Sequence, residues 1–285
     1  MKPGVILAML AVILSGAAVS WAAPEAIPAP TVKQFNLLTH AIMTFEQRAG
    51  VADGTSDEPL VDVRKYDSRI LVSQREDMVP YTGETVLVRD SVAKKLAAVN
   101  AGLQSAGYGL KVVYGYRHPE IQTRYFEGRK AQIRKEWDES GKEYSEDDLN
   151  RNADLFAAYP PLAGHVTGGC VDVRIVRLDD GEELDCTPTA RDLTATPERD
   201  DGTPSVPGMT AMDEEEVMRT FSNHITPQQL ANRMFLHDAM LAEGFAPFYG
   251  EWWHFMYGDR EWAAFVGEKA ALYAPVTMIP ADVGK

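Results

Sequence analysis

The stretch "GEWWHFMYG" (250–258) sets a glutamate, Glu251, three residues before a histidine, His254, inside an aromatic run. An ionised carboxylate has no evident use there, and two residues alone make neither a metal site nor a proton relay. Partners come from "AGHVTGGCVDVRI" (163–175), a glycine-rich loop that runs into a strand, with His165 in the loop and Asp172 seven residues on. Glycine's conformational freedom lets such a loop bring an imidazole back against the strand's carboxylate. Two imidazoles and a carboxylate are good zinc ligands, and three protein ligands leave the fourth position open for water, the catalytic rather than the structural arrangement. His165, Asp172 and His254 are therefore the expected ligands of one zinc ion per chain. Beside such a metal Glu251 acquires a role: it takes the proton of the attacking water and passes it to the leaving amine.

The spacing carries a geometric condition. On a regular strand, positions three apart face opposite sides, so Glu251 and His254 would not share a site. Either the strand bends at Gly250–Trp252 or the stretch is one turn of helix; the aromatics, Pro247 and Gly250 favour the bend. The remaining histidines read differently. His40 and His237 fall on predicted helices, His237 beside the stripe of Leu230, Met234 and Leu241, and His224 sits just before a helix cap; these are read as structural.

Three motifs in order resemble those of the zinc D-alanyl-D-alanine dipeptidases, within the wider group of zinc D,D-peptidases that act on cell-wall precursors. "HVTGGCVD" fits an H-x-x-G-x-x-x-D pattern, "EWWH" fits E-x-W-H, and "VVYGYRHPEIQ" (112–122) is similar to a strand ending in Y-R before a proline. "NRMFLHDAMLAEGF" (232–245) is also of the family's type, and the resemblance runs loosely from Val61 to Tyr257. It implies zinc on His165, Asp172 and His254, Glu251 as general base and acid, and Arg117 facing the developing oxyanion. A guanidinium suits that last role because its charge is fixed and its donors are rigid. The chain departs from the pattern at Ala163, where serine is frequent, and at His118, which intervenes between Arg117 and the proline. The loop between Asp185 and Asp213 is longer than usual, and "GMTAMD" (208–213) only approximates M-G-T-x-x-D; Asp213 is the candidate for holding a substrate's ammonium group. These departures bear on the substrate more than on the metal triad.

Elements must bring these residues together. Thr31–Gly50 has helical spacing, with Phe35, Leu38, Ile42 and Phe45 on one side; Ser91–Gly107 shows a clearer stripe of Val92, Leu96, Val99 and Leu103, closed by Gly107. Residues 110–116 read as a buried strand, and a charged helix opens at Pro119. Residues 138–152 read as a solvated excursion. Val171–Leu178 and Glu182–Asp185 form a hairpin about Asp180-Gly181. That register sets Cys186 opposite Ile175, too far from Cys170 for a disulfide, so both thiols are expected free. Residues 187–211 hold four prolines and no apolar period, and read as a long loop. Thr226 and Gln229 make a capping box ahead of a helix that Gly244 closes, and Asp259–Tyr273 reads as a last helix. The mixed order predicts an α+β single domain, its small antiparallel sheet bearing the zinc site with helices around it.

At the N-terminus Lys2, the apolar run Val5–Leu14 and Ser20-Trp21-Ala22 have the layout of a secretory signal peptide over residues 1–22. The apolar part falls short of the ~20 residues of a membrane span, which favours cleavage over an uncleaved anchor. Residues 23–58 then form a linker and helix, and 59–285 the peptidase domain of a secreted, periplasmic protein. The net charge of −14 argues against nucleic acid and anionic surfaces as partners, and no stable membrane partner is expected; the charge is compatible with a small substrate carrying a free amino group. The expected activity is zinc-dependent hydrolysis of a D-alanyl-D-alanine-type dipeptide, with a small D-amino-acid peptide as partner. The alternatives are a D,D-carboxypeptidase that trims peptidoglycan stem peptides and a non-catalytic zinc- or peptide-binding relative; binding alone would not need Glu251.

Overall fold

The computed structural model describes residue 24 and residues 42–73, 75–187, 216–222 and 225–277. The first half of the chain contributes α1 (Phe45–Ala49), β1 (Leu60–Asp62), β2 (Leu71–Val72), α2 (Val79–Thr82), β3 (Leu87–Arg89), α3 (Asp90–Ser105) and β4 (Tyr108–Tyr114). It continues with α4 (Pro119–Ser140), α5 (Glu146–Asp154), β5 (Cys170–Arg177), α6 (Pro227–Ala242), β6 (Ala246–Pro247), β7 (His254–Met256) and α7 (Arg260–Val266).

Five strands form one sheet in the order β2-β4-β5-β7-β6, and β1 pairs with β3 in a separate ribbon. All neighbours in the larger sheet are antiparallel except β2 and β4, which run parallel at one edge. The architecture is the α+β domain with a small, mainly antiparallel sheet that the element order predicts. Alternation along β5 explains its two faces. Val171, Val173 and Ile175 are buried in the main core, where they join Val92, Leu96, Val99 and Leu103 of α3 and Leu236, Ala239 and Met240 of α6. The α3 stripe is fully buried, as its spacing requires, and Gly107 follows at φ 84°. Asp172 and Arg174 project from the opposite face. Across the sheet Tyr114 is in register with Asp172, and Asp172 with His254, so one row of side chains crosses three strands.

Several boundaries differ from the sequence-based expectation. Residues 138–152 are not a solvated excursion: α4 runs to Ser140, Gly141 turns the chain at φ 69°, and α5 opens with a capping box between Ser145 and Asp148. Leu149 and Ala153, four apart, bury that helix against Phe126 and Ile133 of α4. The hairpin closes over Leu178–Gly181, with Arg177 N donating to Glu182 O, rather than over a two-residue turn. The pairing therefore shifts by two residues; Leu184, not Cys186, bonds to Ile175. Both cysteines are nevertheless free and buried, and Cys170 donates from Sγ to Asp259 at 2.8 Å. The helix predicted over 31–50 does not run through Ile42–Thr44; Thr44 caps the short α1 through a capping box with Gln47. Gly267 at φ 85° ends α7 after Val266, well before Tyr273. The capping box of Thr226 and Gln229 opens α6 as expected.

Residues 42–58 are fastened to the C-terminal stretch: Ala52 bridges to Ala270, and Glu58 accepts from the hydroxyls of Ser91 and Tyr273. Residues 1–22, His40, residues 188–215 with Asp213, and His224 lie outside the described residues. Among the described residues no helix is long and apolar enough to cross a membrane.

Candidate active site

His165, Asp172 and His254 converge: one ligand atom from each lies within 4.8 Å of the others. Two of them arrive through strand register, since Asp172 of β5 stands opposite His254 of β7. His165 arrives through a 3-10 turn, His165–Thr167, that ends at Gly168 with φ 75°. Ahead of it, a side chain at Gly164 would collide with the Asp259 carboxylate and the Cys170 sulfur, so glycine is required for this close approach.

Oδ1 of Asp172 lies 2.9 Å from Nδ1 of His254 and 3.5 Å from Nε2 of His165. The two imidazoles stand nearly perpendicular, 82° apart, with ring centres 4.8 Å from each other. Nδ1 of His165 lies 2.8 Å from the carbonyl oxygen of Gly115. A carbonyl only accepts, so Nδ1 carries the proton and the Nε2 lone pair faces Asp172. That is the tautomer and orientation a metal-ligating histidine needs. Burial keeps His165 neutral by lowering its pKa against the pull of Asp172. Burial also opposes the charge on Asp172, but the hydrogen bond and charge of His254 hold the carboxyl well below the usual range. His254 resists burial in the same way: its hydrogen bond to Asp172 and the nearby carboxylates raise it to about 9. Without metal the site thus holds a His254–Asp172 ion pair beside a neutral His165. Two imidazoles and a carboxylate, one imidazole oriented by a carbonyl, fit a zinc ion with an open fourth position.

The geometric condition on Glu251 is met by neither a bent strand nor a turn of helix: Glu251 lies in the loop that joins the antiparallel β6 and β7. Residues 249–253 form turns and β7 starts only at His254. Glu251 N donates to Phe248 O and His254 N to Glu251 O, which places the Glu251 Oε2 3.8 Å from Nδ1 of His254. Burial and the charge of Asp172 raise the Glu251 carboxyl to about 6, against the opposing charges of His254, Arg117 and Arg174. The glutamate in the opening motif is therefore a carboxylate with raised proton affinity at the edge of the triad.

Arg117 follows β4, and its backbone N–H donates to His165 O at 3.0 Å, tying the two motif loops together. Its guanidinium packs 4.4 Å from the Tyr114 ring and 5.2 Å from the Tyr125 ring, and Nη1 donates to Gln122 Oε1 at 2.9 Å. Its Nε is buried with no hydrogen-bond partner among the described residues. Its charge acts on both Glu251 and His165. His118 caps α4, accepting from Glu120 N at 3.3 Å, and stacks on Tyr81, which accounts locally for the residue inserted before Pro119. His237 lies away from the triad, between Asp238 and Tyr249.

Sequence reasoning missed the residues that hold Arg117. Gln122 is buried, and its amide donates to Ala158 O at 2.7 Å while its oxygen receives Arg117. Arg75 donates to the Tyr125 hydroxyl at 3.1 Å, Tyr125 donates to Asp77, and Arg75 packs 4.8 Å from the Tyr114 ring, which Arg117 also meets. The available signal was Gln122 in the first turn of a helix opened by His118-Pro119; nothing local marks Arg75 or Asp77.

Residues 187–270, which contain Glu251 and His254, match the family model described as D-ala-D-ala dipeptidase. The motif resemblance and this match name the same family. No curated protein matches the chain. Among solved structures, the chain is similar to the LdcB LD-carboxypeptidase, at 19% identity and TM-score 0.38, over 75% of this chain and 72% of that one. It is also similar to a mutant of the vancomycin resistance D,D-pentapeptidase VanY in complex with Zn(II), at 14% identity and TM-score 0.35, over 79% and 97% of the two chains.

Proposed function

We propose that this protein is a zinc metallopeptidase that hydrolyses a D-alanyl-D-alanine-type dipeptide. The observation that carries the reading is the convergence of His165, Asp172 and His254 within 4.8 Å, with Glu251 3.8 Å from His254. A single zinc ion held by the three would polarise the scissile carbonyl and acidify the attacking water. Glu251 Oε2 accepts the proton that the water loses as the new C–O bond forms. It returns that proton to the amide nitrogen as the C–N bond breaks, so the product leaves as a neutral amine. The raised proton affinity of Glu251 suits a group that must both take and give a proton near neutrality. Arg117 supplies a fixed positive charge to the oxyanion, and Gln122 fixes its Nη1 side. Asp213 is assigned to the substrate's ammonium group on the motif resemblance alone. The signal-like residues 1–22 support the reading of an exported enzyme, placed where peptidoglycan peptides are found.

The test is hydrolysis of D-Ala-D-Ala and of a stem pentapeptide by purified protein, with and without chelator. Dipeptide cleavage that the chelator abolishes and zinc restores is the expected result. Cleavage of the stem peptide alone would make the protein a D,D-carboxypeptidase, and no cleavage of either would make it a binding relative.

A further inference from the structure

The turn that carries Glu251 makes three backbone hydrogen bonds of its own, between Phe248 and His254, Glu251 and Phe248, and His254 and Glu251, and it is also held from outside. Trp252 N donates to Met218 O at 2.9 Å, and Thr220 N donates to Tyr249 O at 3.1 Å, so residues 218–220 bracket Glu251 on both sides. Arg233 of α6 holds those residues in turn. Its Nη2 donates to Val217 O at 2.9 Å, its Nη1 to Arg219 O at 2.6 Å, and its Nε to Cys186 O at 2.7 Å. The same guanidinium lies 5.4 Å from the Trp252 ring, against which Arg174 also packs at 4.5 Å.

Arg233 is fully buried, and the acceptors it finds are main-chain carbonyls rather than a carboxylate. A charge in such a place is a poor device for stability alone, since taking it out of water costs several kcal/mol and an apolar side chain of similar volume is often as good. A rigid fork with donors in three directions does something an apolar residue cannot: it fixes the relative position of chain segments far apart in sequence. Here those segments are Cys186, Val217–Arg219 and, through Met218 and Thr220, the catalytic turn. Asn232, the preceding residue on α6, makes a useful contrast. Its amide donates to Asp185 O at 2.6 Å, on the Cys186 side, and among the described residues no hydrogen bond ties it to residues 217–220.

We infer that Arg233 is a positioning residue for Glu251, holding the catalytic turn through residues 217–220 and the Trp252 ring. The inference rests on the reading of Glu251 as the general base. Loss of Arg233 lowers the rate only as far as it misplaces Glu251. A displacement of about 1 Å at a catalytic group costs on the order of 100-fold in rate.

The test compares Arg233→Lys, Arg233→Met, Asn232→Ala, Glu251→Gln and the double variant Arg233→Met with Glu251→Gln, all as full chains. Measured are kcat and KM on D-Ala-D-Ala, bound zinc and the thermal midpoint. The expected result is a kcat lowered roughly 10- to 100-fold in both Arg233 variants, with KM changed by less than about twofold. Zinc content should be unchanged in them, and Asn232→Ala should keep the parent kcat. Because Arg233 acts through Glu251, the double variant should be as slow as Glu251→Gln alone, to within about twofold. Arg233 variants at full kcat beside an inactive Glu251→Gln would overturn the inference, as would losses that multiply in the double variant. A chain that folds with neither lysine nor methionine at 233 would make Arg233 a residue of stability alone and overturn it too. Full activity of Glu251→Gln is a different failure, and it would remove the underlying reading.

Discussion

One face of β5 buries Val171, Val173 and Ile175 against α3 and α6, while the other carries Asp172 and Arg174 toward the triad and the Trp252 ring. The same eight residues serve a core and a site, yet the two faces tolerate change differently. A core holds by volume and apolar area, so similar hydrophobes are exchangeable at modest cost. The site holds by direction: a lone pair, a carboxylate oxygen and a guanidinium must meet at one place, and each is oriented by a specific partner such as Gly115 O or Gln122. The difference predicts that site substitutions change rate with little change in stability, and core substitutions the reverse.

The largest break in that contrast comes at the ligands. His254→Ala removes a proposed ligand and the partner of Asp172, so the variant should fold but hold little zinc and lose activity altogether; metal analysis showing undiminished zinc would remove His254 from the ligand set. Glu251→Gln keeps the shape and should keep the metal, while turnover falls by roughly 10²–10⁴-fold. Near-parent rates in that variant would place the proton relay elsewhere. Arg117→Lys retains charge but loses the fork that Gln122 orients, and a lost oxyanion donor costs about 3–4 kcal/mol in kcat with KM little changed. A raised KM at constant kcat would show instead that Arg117 only binds the ground state.

On the core face, Leu96→Ala empties a fully buried position of α3 and should cost about 2–5 kcal/mol of unfolding free energy, measured by urea titration. Its kcat per folded molecule should match the parent; a large rate loss would mean that the two faces are coupled. The smallest effect concerns protons. In the metal-free protein His254 is held near 9 by Asp172, so it is protonated at pH 7, and a ligating imidazole must be neutral. Zinc binding should therefore release about one proton at neutral pH, read by calorimetry in buffers of different ionisation enthalpy. The release should fade as pH rises past the His254 pKa, where the ring has already lost its proton.

Much of the core was legible along the chain because its signals are local. The stripe of α3 and the capping box of α6 each lie within one turn or a few turns of helix, and they formed as read. The same local logic was available for α5 in Ser145–Asp148 and the pair Leu149 and Ala153, but the charge of the surrounding residues obscured it. The hairpin register failed by two residues because a four-residue loop and a two-residue turn share the same Asp180-Gly181 signal. The candidate site was legible as residue types at motif spacing, and the structure brings His165, Asp172 and His254 together. What held the site was not legible. Gln122 reaches Arg117 from its own helix and Ala158 from a distant loop, while Arg233 reaches carbonyls 14, 16 and 47 residues away.

By itself the sequence determined which donors exist, where helices begin and end, and which strand face is apolar, because each follows from the conformational preferences of residues within a few positions of one another. Only the tertiary structure decided that Tyr114, Asp172 and His254 share a row, that Gly115 sets the tautomer of His165, and that Arg233 holds the turn of Glu251. Those outcomes depend on strand register and on the closure of long loops, where a shift of one residue reverses every side chain; burial of the whole β5 core face selects the register, and no local stretch contains that information.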